Sequence, residues 1–204
     1  MYEMLFSFVL ASAALAISPG PDNIFVLTQS VSRGSSYGIS TTAGLISGCI
    51  VHTVLVAFGV SAILVTFESV FLGIKILGAV YLFYLAWQVF KLDNSIAIGK
   101  TENKKSHRQL YKQGVIMNVL NPKVTLFFMA FFPAFLWDKT ENVILQFFVL
   151  GLVFMVVSFI IFSGIALLSG KIFRFITHYK KSGLFFRWLQ IIVFIGIAFF
   201  LLLP

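Results

Sequence analysis

Six long apolar stretches divide the chain, at about residues 5–31, 39–66, 70–90, 112–136, 143–169 and 185–204. None shows the segment-by-segment alternation of polar and apolar residues that a membrane β-strand carries. Each is long enough to cross the hydrocarbon as a helix, which takes about 20 residues. The pattern predicts an all-α integral membrane protein with six transmembrane helices. The polar stretch "KLDNSIAIGKTENKKSHRQLYK" separates two groups of three and reads as a solvated loop. The chain is therefore expected to be a single transmembrane domain, 1–204. It has a first repeat over 1–91, a linker over 92–111 and a second repeat over 112–204.

Two of the stretches contain residues that a lipid-spanning helix should reject. The first holds "AISPGPDNIF" between Ala16 and Phe25, and the fourth holds "VLNPKV". A proline inside a helix removes a backbone hydrogen bond and clashes with the preceding turn, and a carboxylate at the bilayer centre costs roughly 2.5–3.5 kcal/mol on insertion scales. Pro21 with Asp22 is matched 101 residues later by Pro122 with Lys123. The same offset carries the second apolar run close to the fifth. Three spans per half force the halves to insert in opposite directions, the inverted-repeat plan in which broken helices meet near the midplane. At about 1.5 Å per residue, each proline lies roughly ten residues, or about 15 Å, from the end of its span that carries the basic residues. His52 is central in the second span by the same count.

Composition narrows the picture further. The chain is 59% hydrophobic and 11% charged, with mean hydropathy +1.00, too apolar for a soluble globule of this size. Of its 15 Lys and Arg residues, twelve fall on one side of the six spans: Arg33, Lys91, Lys100, Lys104, Lys105, Arg108, Lys112, Lys171, Arg174, Lys180, Lys181 and Arg187. Lys139 lies opposite, and Lys75 and Lys123 lie within spans. The positive-inside rule then places the linker in the cytoplasm and both termini outside. The net charge of +8 expresses this asymmetry and attracts anionic membrane lipid, and nothing in the sequence calls for nucleic acid. The small-residue run "LASAALA" resembles a signal-peptidase site, but Glu3 is the only charge before it, so the segment is kept as the first helix. The single cysteine, Cys49, allows no internal disulfide.

Broken helices leave backbone groups that are tolerated only beside protein or a water-filled cavity. The half-helix resuming at Pro21 points its positive end at such a cavity, which suits a carboxylate. The carbonyls ending the preceding half suit an ammonium. A zwitterion fits both. Asp22 is then a proton carrier or the ligand of the substrate ammonium, against the plainer reading of a helix N-cap. Lys123 pairs with Asp22 or holds the substrate carboxylate, against snorkelling to an interface. His52 is a proton relay or a satisfied core histidine. Gly44, Gly48 and His52 share one helix face at a spacing of four, a small-residue packing stripe. Asn23 and Asn121 offer amides to broken backbone or to substrate, and Tyr81 lines the cavity or packs. Lys75 reads as snorkelling and Pro133 as a kink.

At "SPGPDNIFVLTQSVSRG", "GLISGCIVH", "LGAVYLFYLAW" and "GVIMNVLNPKVTLFFMAFFPAF" the chain resembles the LysE/RhtB family of amino-acid exporters, in order and over nearly its whole length. The resemblance implies a secondary transporter that exports small amino acids or their derivatives from the bacterial cytoplasm across the inner membrane, driven by the proton gradient. It places the functional motif on Pro19, Gly20, Pro21, Asp22 and Asn23, and a second on Asn121, Pro122 and Lys123. The first basic loop departs from the family in carrying only Arg33. The implied partners are the amino acid, protons and membrane lipid, without cofactor or metal; a homodimer is left open. Rival classes are weaker. There is no second buried carboxylate for an aspartyl protease, no H-E-x-x-H zinc helix and no G-x-S-x-G elbow. A channel, a passive scaffold, or an exporter of another solute or cation remain as alternatives to an amino-acid carrier.

Overall fold

The computed structural model describes residues 2–18, 20–60, 68–91, 105–138, 141–178 and 182–202. These are almost entirely helical, with no strand among the described residues. The helices are α1 (Tyr2–Ile17), α2 (Pro21–Arg33), α3 (Ser35–Leu55), α4 (Glu68–Lys91), α5 (His107–Val119), α6 (Pro122–Leu126), α7 (Val143–Leu167), α8 (Ser169–His178) and α9 (Ser182–Leu202). A π-helical turn, Val56–Val60, prolongs α3. A second, Phe127–Phe131, prolongs α6 and leads into a 3-10 turn, Phe132–Phe135.

Three segments are each long and apolar enough to cross a membrane: Ser35–Gly59, Val143–Leu167 and Gly183–Leu202. The first and fourth apolar runs are bent pairs instead. α1 meets α2 at 60°, and α5 meets the segment Pro122–Phe135 at 50°; counting each pair as one span gives up to five by length and composition. The third apolar run coincides with α4, and most of the linker, residues 92–104, lies outside the described residues. Large apolar side chains such as Leu145, Leu152, Phe159 and Ile160 on α7 face outward, as expected of surfaces meeting lipid.

Local chemistry sets the element ends. Gly34 sits at φ 100, a conformation that suits glycine, and its N–H bonds the Ser30 carbonyl at 2.9 Å, so α2 stops and α3 starts at once. α5 begins at a capping box: the Ser106 side chain accepts from the Gln109 N–H, and the Gln109 side chain accepts from the Ser106 N–H. This starts the helix at His107, earlier than the apolar pattern indicates. α8, which follows the fifth apolar run, is a second element that the run pattern does not mark. Lys171, Arg174 and His178 recur at spacings of three and four along it, on a face other than that of Ile172 and Ile176, so it is a short amphipathic helix.

α3 is the central strut. It packs along α5, α7 and α2, while α4 packs on α9 and α1 on α7. The α3–α5 approach is close enough to need glycine on both sides. A Cβ on Gly44 would lie 2.0 Å from the Tyr111 carbonyl oxygen, and one on Gly114 2.5 Å from that of Thr41. Beyond the second bend, Phe127, Phe128, Phe131, Phe132 and Phe135 are all buried. Phe8 of α1 meets Phe132 edge-on at 5.0 Å and Phe154 of α7 meets Phe128 at 5.1 Å, tying three elements into one aromatic core. Pro133 lies buried inside this core, in the 3-10 turn.

Candidate functional site

The first break lies between α1 and α2. Pro21 occupies the first position of α2, where its missing N–H is no loss. Asp22 follows in the first turn, where the helix dipole favours a carboxylate. Gly20 is the N-cap and supplies no side-chain acceptor, so Asp22 does not act as the cap. The carbonyls that end α1 are satisfied from elsewhere. The Lys123 ammonium donates to the Leu15 and Ser18 carbonyls at 3.4 and 3.3 Å, and Asn23 Nδ2 donates to the Ala16 carbonyl at 2.7 Å.

The second break lies between α5 and α6. Asn121 caps α6, its Oδ1 accepting from the Lys123 N–H at 3.0 Å, and Pro122 takes the first helical position. The Asn118 carbonyl at the end of α5 accepts from the Asn121 N–H at 3.0 Å and meets His52 Nε2 at 3.1 Å. Asn121 also joins the two breaks, because its Nδ2 donates to Asp22 Oδ2 at 2.9 Å. One amide thus links the Asp22 carboxylate to the Lys123 backbone N–H, while the Lys123 ammonium is held by the carbonyls that end α1.

Gly20, Pro21, Asp22, Asn23, Asn118, Asn121 and Lys123 line one cavity of about 30 Å³, with Phe154 of α7 also on its wall. At roughly 10–15 Å³ per water, that space holds about two water molecules and no amino acid. Asp22 is only 7% exposed. Two further polar atoms on the wall, Asn118 Oδ1 and Ser158 Oγ, are buried and have no hydrogen-bond partner among the described residues. The thiol beside Asn118, that of Cys49, is directed to the Leu45 carbonyl. Buried polar atoms without partners mark places where a bound water or ligand belongs.

Of the residues singled out in the sequence, Gly20, Pro21, Asp22, Asn23, Asn121 and Lys123 meet at this cavity. Pro19 lies outside the described residues. Pro122 sits exposed at the start of α6 and shapes the break without bordering the space. His52 is buried one layer behind, held by the Asn118 carbonyl and packed on Phe128 at 5.4 Å. Tyr81 is half-buried, its ring against Tyr84 at 6.2 Å, and does not border the cavity. The carbonyls expected to receive a substrate ammonium are already taken by Lys123 and Asn23.

Sequence reasoning missed Asn118 and Ser158. Asn118 carried a usable signal, a polar residue three positions before the capping Asn121 in an otherwise apolar run. Ser158 is one of many membrane serines and carried none. Gly48 explains why Asn118 fits: a Cβ there would fall 2.7 Å from Asn118 Oδ1.

Relatives of known name share this sequence. A homoserine/homoserine lactone efflux protein of Salmonella typhimurium is 30% identical over 88% of this chain and 87% of its own. A leucine efflux protein of Salmonella choleraesuis is 29% identical over 94% of this chain and 91% of its own. An uncharacterized membrane protein of Pseudomonas aeruginosa is 34% identical over 79% of each chain. No solved structure matches. The family model for the LysE type translocator matches residues 13–204, breaks and cavity included, and the chain belongs to that family of transporters.

Proposed function

We propose that the protein exports small amino acids or their derivatives from the bacterial cytoplasm by alternating access, in exchange for protons. The observation that carries this is the Asp22–Asn121–Lys123 bridge. It brings a carboxylate and a lysine, from two separately broken helices, to one small cavity. A zwitterion entering that space offers an ammonium to Asp22 and a carboxylate to Lys123. It then competes with the contacts that hold the breaks together, which couples binding to movement of one half against the other. The efflux function in the names of the Salmonella relatives supports the direction of transport.

The packing supports six crossings in two inverted halves. With α1/α2, α3 and α4 as one half and α5/α6, α7 and α9 as the other, exchanging the halves maps the α3–α5 contact onto α7–α1. It maps the α3–α7 and α4–α9 contacts onto themselves. In this scheme substrate enters from the side of Arg33 and the basic helix α8. With that side cytoplasmic, both termini lie outside, in the inner membrane. Asp22 is the proton carrier in this scheme, since it is the acid in the cavity.

Counterflow in proteoliposomes tests the reading. The wild type should accelerate exchange of labelled for unlabelled amino acid, whereas a channel gives no trans-acceleration and a scaffold gives no flux. Asp22→Asn keeps an acceptor for Asn121 but carries no proton. It should lose transport driven by a pH gradient while keeping part of the exchange. Gradient-driven transport at the wild-type rate in that variant removes Asp22 from the coupling role.

A further inference from the structure

Three helices that border the ion-bearing cavity, α1, α2 and α7, also border a second one. On α7, Phe154, Ser158 and Phe162 recur every four residues along the first cavity. Ile161 and Ile165, also four apart, line the second, so adjacent faces of one helix serve both spaces. On α2, Pro21 and Asp22 face the first while Ile24 and Leu27 face the second. The second cavity measures about 250 Å³. α8 borders it with Ile172 and Ile176. Its lining is aliphatic or aromatic except at one residue, Asn23.

Asn23 lines both cavities, and its amide is tied across the helix break to the Ala16 carbonyl at 2.7 Å. Asn23 therefore borders both the space shared by Asp22 and Lys123 and an apolar chamber several times larger.

We infer that this chamber receives the substrate's side chain, and that the protein selects amino acids with aliphatic side chains. The inference rests on the exporter reading above. An α-carbon held by its ammonium at Asp22 and its carboxylate at Lys123 has one substituent left to place, and the ion-bearing cavity has no volume for it. Rotation of the Asn23 amide away from Ala16 opens the neighbouring space. Walls of isoleucine and leucine offer apolar contact and no hydrogen-bond partner. Each added methylene is rewarded, and a hydroxyl or amide enters without compensation for its lost water. A phospholipid tail matches the same walls. The amino-acid side chain is the occupant argued here because the chamber and the ion-bearing cavity share a wall at Asn23.

The test is the ratio of leucine to alanine counterflow in proteoliposomes of the full chain. Filling the chamber with Ile165→Trp should lower that ratio about 10- to 100-fold, the range that a few methylenes command in an apolar pocket. Enlarging it with Ile172→Ala, on α8 and away from the aromatic core, should raise phenylalanine exchange relative to leucine. The second variant decides the matter if the first does not elute as a folded protein. Unchanged ratios in folded variants, whether the chamber holds a lipid tail or merely packs, overturn the inference. A wild type that exchanges alanine but not leucine also overturns it. A wild type that exchanges no amino acid refutes the exporter reading itself, a distinct result.

Discussion

The two helix breaks are punctuated alike in sequence and held in opposite ways. The second is supported mainly by its own neighbourhood: Asn121 caps α6, its N–H returns to the Asn118 carbonyl, and α5 is clamped to α3 where Gly44 meets Tyr111. The first has no side-chain cap at Gly20, and two carbonyls that end α1 are fastened by a lysine from the other half of the chain. The difference follows from one residue each, because asparagine before proline brings an acceptor and glycine before proline brings none. The second break is a fixed support, and the first is a joint that Asn23 fastens only in part, the rest arriving from the other half of the chain.

Lys123→Gln is the change that breaks this comparison most severely. It frees the Leu15 and Ser18 carbonyls and leaves Asp22 without an opposing charge. An uncompensated buried charge costs about 3–5 kcal/mol, and each 1.4 kcal/mol is about a factor of ten. Counterflow should fall at least 100-fold, with Lys123→Arg retaining more than Lys123→Gln. Wild-type exchange in Lys123→Gln would mean that the first break stands without help from the second.

Gly44→Ala attacks the fixed support instead. Its new methyl meets the Tyr111 backbone carbonyl, which cannot turn aside as a side chain would. Overpacking of this kind costs about 1–3 kcal/mol, so the variant should lose its folded elution profile at a lower temperature than the wild type. Gly164→Ala on α7, where nothing lies within 4 Å of the new methyl, is the matched control and should melt as the wild type does.

These contacts also show what the sequence could convey. The apolar runs and the two proline motifs located the helices and both breaks, because hydrophobic length and proline geometry are local properties. The gathering of Asp22, Asn23, Asn121 and Lys123 followed from matching the halves. What the pattern could not convey was which donor satisfies which carbonyl. Lys123 reaches back to Leu15, 108 positions earlier, and that pairing depends on how the helices pack. The same reason hid Ser158 and the aliphatic chamber, whose walls are ordinary membrane residues until α7 is set beside α2 and α8. α8 was hidden differently: ten residues are too few for an apolar period to stand out among charges.

Asn121 sharpens the comparison because it serves both breaks. Asn121→Ala removes a cap worth about 1 kcal/mol and a hydrogen bond to a carboxylate worth about 1.5–3 kcal/mol. It should lose both thermal stability and exchange. Asn121→Asp retains the capping oxygen but sets a second carboxylate against Asp22. Stability should stay closer to wild type than in Asn121→Ala while exchange falls as far. Equal stability loss in the two variants would show that the cap is not what supports the second break.

The smallest effect is expected at His52, and it separates a strut from a relay. His52 bonds the Asn118 carbonyl that ends α5, sits behind the cavity and packs on Phe128, so its place in the structure is beside the fixed support. Glutamine can donate to the same carbonyl, and leucine cannot. If His52 is a strut, His52→Gln should transport within about two-fold of wild type, while His52→Leu should lose about 1 kcal/mol of stability, the ordinary worth of one hydrogen bond. A relay requires the opposite grouping: both variants would keep exchange but lose transport driven by a pH gradient, because neither side chain can carry a proton. Measuring gradient-driven transport and melting temperature in the same pair of variants assigns His52 to one role, and with it decides whether the second break takes any part in proton movement.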